Sequence, residues 1–135
     1  MKILRLTLKK KWFDMILRGE KKFEYRDIKR HFISRLMLCE VSIEWQCMDE
    51  IITDLKNVNL RHNGLDDLLS YFQVKFRDYD IIEFKNGYAK DAPKMKVEFC
   101  GIDVGRGNIE QGAPRRENVF IISLGDVVEK ENINA

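Results

Sequence analysis

A chain of 135 residues is the size of one domain, and with 44% apolar and 34% charged side chains it can bury an ordinary core. Basic residues number 24 and acidic ones 22, so the formal charge of +2 selects no partner by itself. No apolar run approaches the roughly 20 residues of a membrane-spanning helix, and the N-terminus lacks the apolar core of a secretion signal, so a cytoplasmic protein without membrane association is expected.

The first segment, Ile3–Leu8, carries Leu4, Leu6 and Leu8 on one face and reads as a strand. Residues 9–18 follow with Trp12, Met15 and Ile16 at helical spacing, while Lys10, Lys11, Asp14 and Arg18 face out. Gly19 stands where a helix C-terminal cap belongs. Residues 22–27 then alternate, with Phe23 and Tyr25 on one face and Lys22, Glu24 and Arg26 on the other. Across 28–38 the spacing of Ile28, Phe32, Ile33 and Leu36 fits a helix, and Leu36-Met37-Leu38 equally fits the start of a strand.

The middle changes character. Residues 48–55 place Met48, Ile51, Ile52 and Leu55 on one helical stripe, and Leu65–Phe72 does so with Leu65, Leu68, Leu69 and Phe72. Asn63 is the expected N-cap of that second helix, with Asp66 and Asp67 in its first turn. Strands resume at 79–84, followed by an Asn86-Gly87 turn. They continue at 94–99, with Met95, Val97 and Phe99 inward, and at 119–124, a buried strand ended by Gly125. Polar loops span 86–93 and 105–118, and 129–135 reads as a frayed tail. The pattern predicts one α+β domain over 1–135, a small twisted β-barrel with flanking helices and a helical insertion at about 39–77.

The near-neutral total hides an asymmetry. Residues 1–36 hold twelve basic and four acidic side chains, and the remainder twelve basic and eighteen acidic ones. A block of this kind suits an anionic partner, nucleic acid first, although the same charges also serve as the solvated face of a helix and strand. Cys39, Cys47 and Cys100 form no Cys-x-x-Cys pair, and His31 and His62 add no zinc spacing. Reduced thiols, buried or half-buried, are expected, with no metal and no cofactor.

Chemistry concentrates in Gly19-Glu20-Lys21-Lys22-Phe23-Glu24-Tyr25-Arg26. Glu24 and Arg26 share a strand face, and a turn at Lys21 would let all three charged groups converge. Arg offers a planar fork for phosphate, Lys a point charge, and Glu an acceptor for a base or sugar hydroxyl. A set of exposed cross-strand ion pairs is the alternative.

This segment, from Leu17 to Arg26, resembles the Gly-x-Lys-x-x-Glu-x-Arg signature of ASCH domains, which belong to the PUA-like barrels. The strand and Trp-containing helix before it match the same pattern, residues 79–128 resemble it loosely, and 35–77 has no counterpart. The resemblance implies a PUA-like fold and RNA binding in a cleft beside the signature. Some similar small proteins are amidohydrolases that deacetylate N4-acetylcytidine, sharing Gly19 and Lys21 but carrying a nucleophilic Thr where this chain has Glu24. A carboxylate does not replace that hydroxyl in forming an ester. A hydrolase here would use Glu24 as general base on water, with Lys21 as its electrostatic partner.

Binding of RNA or a modified nucleotide is therefore the leading expectation, with Lys21, Glu24 and Arg26 lining the cleft. Lys9, Lys10 and Lys22 would attract phosphate, and Tyr88 would stack on a base. Trp12 reads as core. The alternatives are a small nucleoside or nucleic-acid hydrolase using Lys21 and Glu24, or a protein-interaction module using the insertion. Gly101 to Gly107 lacks the Lys-Ser/Thr of a phosphate-binding loop. Arg106, Arg115 and Arg116 in the next loop suit either phosphate contact or simple solvation.

Overall fold

A computed structural model describes residues 1–39, 45–58 and 62–133, with side chains from 47 onward in the second of these stretches. The expected insertion and the expected tail therefore lie partly outside the described residues. The elements are β1 (Ile3–Leu8), α1 (Lys10–Leu17), β2 (Phe23–Arg26), α2 (Arg30–Leu36), β3 (Met37–Cys39), α3 (Trp45–Lys56) and α4 (Leu65–Phe72). They continue as β4 (Val74–Phe76), β5 (Ile81–Asn86), β6 (Lys94–Gly105), a 3-10 turn (Ile109–Gln111) and β7 (Val119–Glu131). The chain forms two compact units, one of Met1–Glu24, Asp78–Gly101 and Ile122–Ala135, the other of Tyr25–Arg77 and Ile102–Ile121.

All five strands of a mixed sheet, in the order β1-β5-β6-β7-β2, contribute to the first unit. Strand β1 runs parallel to β5, with Leu4 opposite Ile82 and Leu6 opposite Phe84. Strand β6 runs antiparallel to β5, setting Val97 opposite Ile82 and Met95 opposite Phe84. These inward residues are all buried, as are Phe13 and Ile16 of α1. The alternation read from the sequence thus becomes one continuous apolar layer.

The sheet is open rather than the expected closed barrel: β1 and β2 are its end strands and are not paired with each other. Period-two alternation fixes which face is buried, and that pattern is the same for an open sheet and a barrel. Closure depends on tilt and stagger, which the pattern does not encode. The architecture is mixed α and β.

One expected strand end also moves. Gly125 lies inside β7, which runs on to Glu131 and takes in the first residues of the expected tail. A Cβ built on Gly125 would lie 2.8 Å from Glu98 Cβ and 3.1 Å from Cys100 Sγ, so this glycine permits a close strand approach instead of stopping the strand. Glu129 of that extension pairs with Lys96 at 3.4 Å.

The second unit holds the helical region. Phe32, Ile33 and Leu36 of α2, Ile51 and Leu55 of α3, and Leu68 of α4 are buried. The ambiguity over 28–38 resolves into both elements, α2 followed at once by β3. Antiparallel pairing sets Met37 opposite Phe76 and Cys39 opposite Val74, so the two ends of the insertion meet in one short ladder. Arg77 extends this closure, donating from its N–H to Leu36 C=O at 2.8 Å.

Helix α4 is preceded by Gly64 in the N-cap position, with φ 114°, rather than by an Asn63 cap. The Asn63 backbone N–H instead donates to Asp67 Oδ2 at 3.3 Å. His62 is buried with Nε2 3.0 Å from Asp54 Oδ2, and its Nδ1 lies 3.3 Å from Asp67 Oδ2, tying α3 to α4.

Of the three thiols, Cys39 is half-buried while Cys47 and Cys100 are exposed, contrary to expectation for the latter two. In β6 the alternation that buries Met95 and Val97 leaves Glu98 and Cys100 exposed, an effect of register that hydrophobicity alone does not show. Among the described residues no helix is long and apolar enough to cross a membrane.

Candidate functional site

Helix α1 ends in a turn that places Lys21. Arg18 caps it, Gly19 takes φ 78°, Gly19 N–H donates to Ile16 C=O, and Glu20 N–H donates to Met15 C=O at 2.9 Å. This is the Schellman arrangement, in which a left-handed glycine closes the last turn. The Lys21 N–H also donates to Met15 C=O, at 3.1 Å, so the lysine is directed by the helix end itself.

Lys21 is 1% exposed and Glu24 5%. The Lys21 Nζ lies 3.8 Å from Glu24 Oε1 and 5.4 Å from the centre of the Trp12 ring. Lys11 Nζ approaches the same ring at 4.8 Å. Trp12 is thus half-buried between two ammonium groups, not the core residue its spacing suggested. On β2 it is the polar position that turns inward: Glu24 is buried whereas Phe23 is exposed. A buried carboxylate needs a partner, and Lys21 supplies one three residues earlier.

An open recess of about 480 Å³ adjoins this turn, lined by Arg18, Gly19, Lys21 and Lys22 on one side and by Gly125 and Asp126 of β7 on the other. Small-ligand sites run from roughly 300 to 1,000 Å³. The two walls are held together where Leu124 N–H donates to Lys22 C=O at 3.0 Å. Glu24 stands behind Lys21 and does not line the recess. Gly125 and Asp126 are the site residues that sequence reading missed; about a hundred positions separate them from the signature, and only strand pairing brings them there.

Arg18 lines the recess with its fork already occupied. Its Nε and Nη2 reach the two Glu20 carboxylate oxygens at 2.9 and 3.1 Å. That hydrogen bond, together with the charge of Glu20, raises the Arg18 pKa and is the leading cause holding the Glu20 carboxyl below its usual value. Lys22 is exposed and forms no ion pair among the described residues.

The other expected contacts sit elsewhere. Lys9 and Lys10 are exposed at the start of α1, and Lys10 is held by Asp14 at 2.6 Å. Gly87 N–H donates to Leu8 C=O, which sets the exposed Tyr88 beside this same helix end. Eight residues of α1, about 12 Å, separate this group from Lys21 and Lys22. Arg26 belongs to the second unit, where its guanidinium lies 5.4 Å from the Phe32 ring. Although the backbones of the Lys9–Lys10 and Lys21–Lys22 groups flank α1, the Lys21 ammonium reaches back to the Trp12 ring in its first turn, beside Lys11. The basic N-terminal block itself is divided, with residues 1–24 in the first unit and 25–36 in the second.

Among the described residues no three His, Cys, Asp or Glu side chains are grouped to hold a metal ion. Comparison with protein-family models, curated proteins and solved structures found no match to this chain.

Proposed function

We propose that this chain binds RNA or a modified nucleotide through its first unit. The observation that carries the reading is the buried Lys21–Glu24 pair behind an open recess. Burying two charges costs several kcal/mol each before their attraction is counted, and a unit with its own apolar core gains little from that arrangement. Ionisable groups buried beside a recess more often serve a ligand. The ASCH resemblance of residues 17–26 supports the same reading, and with it a PUA-like origin for the sheet.

In this reading Lys21 donates hydrogen bonds to a group entering the recess, and Glu24 fixes the lysine in place. Lys22 meets phosphate at the rim. Lys9, Lys10 and Tyr88 take the next nucleotides at the far end of α1, by charge and by stacking. Fluorescence anisotropy with short single-stranded RNA tests this. Affinity should fall steeply with salt, and Lys22→Ala should weaken binding across sequences and flatten the salt slope by about 0.7. No binding to RNA or mononucleotides at low salt would refute it.

The alternative reading, a hydrolase of modified nucleosides with Glu24 as general base and Lys21 as electrostatic partner, requires Glu24 to reach the recess from behind Lys21. Turnover lost in a folded Glu24→Gln variant would establish that chemistry, whereas ligand binding without turnover in wild type would dismiss it.

A further inference from the structure

We infer that the loop between β6 and β7 is a second phosphate-binding surface for single-stranded RNA, through Arg106, Arg115 and Arg116; the inference rests on the RNA-binding reading above. The loop, residues 105–118, is tightly built. Asn108 caps the 3-10 turn, its Oδ1 accepting from Glu110 N–H at 3.0 Å. Its C=O accepts from Gln111 N–H at 3.0 Å and from Ala113 N–H at 3.1 Å, closing residues 108–113 into a compact turn.

Gly107 and Ala113 meet at the neck of that turn. A Cβ built on Gly107 would lie 2.7 Å from the Ala113 methyl and 2.5 Å from Tyr25 Cε1, so only a glycine lets the Tyr25 ring lie against the loop. The far flank is moored to α3, where Asn118 Nδ2 donates to Leu55 C=O at 3.3 Å and Glu117 pairs with Lys56 at 3.9 Å.

The arginines flank this neck: Arg106 precedes Gly107, and Arg115 and Arg116 follow Ala113 and Pro114. All three are exposed, and among the described residues none is paired with a carboxylate. By contrast Arg5, Arg18 and Arg30 each face one. Arg116 also holds a left-handed φ of 54°, an unfavourable conformation for an L side chain that the moored loop sustains.

Guanidinium forks suit phosphate oxygens, and a loop backbone held in advance lowers the part of the ordering cost that the backbone would carry. The two acidic residues of the loop do not stand against this. Glu117 is turned to Lys56, and Glu110 is exposed in the 3-10 turn and pairs with none of the three arginines.

The test compares wild type with R106A/R115A/R116A, three exposed changes whose folding is checked by thermal melting. Anisotropy is read with a labelled single-stranded RNA of about 12 nucleotides, and calorimetry with a mononucleotide. The variant should bind the RNA at least about tenfold more weakly, with a salt slope smaller by about 2. Its mononucleotide affinity should not change, and the triple Arg→Lys variant should recover part of the RNA affinity. Unchanged RNA binding by the alanine variant would overturn the loop inference and leave the recess reading intact. Wild type that bound neither ligand would overturn both.

Discussion

Consider removing one charge from the buried pair at a time. At 3.8 Å and the effective dielectric of about 20 that suits protein sites, the Lys21–Glu24 attraction is about 4 kcal/mol. Glu24→Gln keeps the shape of the side chain and removes that attraction, leaving the ammonium in the same buried position. Lys21→Met keeps the length of the stem and removes the charge from the other side. Truncating one member of a buried pair typically costs about 3–5 kcal/mol. For a chain of this size that lowers the melting temperature by roughly 10–18 °C.

The double variant carries neither charge, so it should lose much less than the two singles together. Urea unfolding of the four proteins, followed by circular dichroism at neutral pH, gives the coupling directly. We expect a coupling of about 2 kcal/mol or more. Additive single losses below about 1 kcal/mol would mean that the ammonium is solvated in solution. The argument for a ligand site built on a buried pair would then fail.

Other expectations follow from single positions. Gly19→Ala meets nothing closer than Lys22 Nζ at 3.9 Å, so its cost is backbone strain alone, about 1 kcal/mol by thermal melting. Gly107→Ala differs in origin: its methyl would overlap the Tyr25 ring, and about 1–3 kcal/mol should be lost and partly regained on adding Tyr25→Ala. Glu20 should titrate below an ordinary glutamate by NMR, because Arg18 holds its charged form. The stabilisation from that pairing is present above the unfolded-state value and disappears as pH falls through the lowered one. In Arg18→Ala the titration should return towards the usual range, with little change in melting temperature because both groups are in solvent.

Strand β1, helix α1 and helix α4 were legible because each has a single strong periodicity, although the cap of α4 is Gly64 and not Asn63. Leu4, Leu6 and Leu8 face the core as their alternation requires. On β2 hydrophobicity misled, since burial there follows a charge pair: Glu24 goes in and Phe23 stays out. Gly125 was read as a stop because a glycine's neighbours across a sheet are invisible in the chain. For the candidate site, the segment holding Lys21 and Glu24 stood out through its charges and its ASCH resemblance, and the turn that lets the two meet follows from Gly19. The opposite wall was not, because Gly125 and Asp126 come from a strand whose register is set by β7 lying beside β2. Barrel closure was out of reach for the same reason, being a property of how end strands meet.

The ladder between β3 and β4 gives the helical segment a property of its own. Cys39 and Val74 are direct partners, and partnered Cα atoms in antiparallel strands lie about 5 Å apart. The chain therefore departs and returns at nearly one point, whatever lies between. Loop-closure entropy rises only slowly with length, by roughly 0.6 kcal/mol per doubling. The gap the flanking strands must bridge is accordingly the same whatever the length of the segment between them. What an exchange of that segment would disturb is the packing of α3, which buries Leu55 and moors Asn118 and Glu117 of the β6–β7 loop.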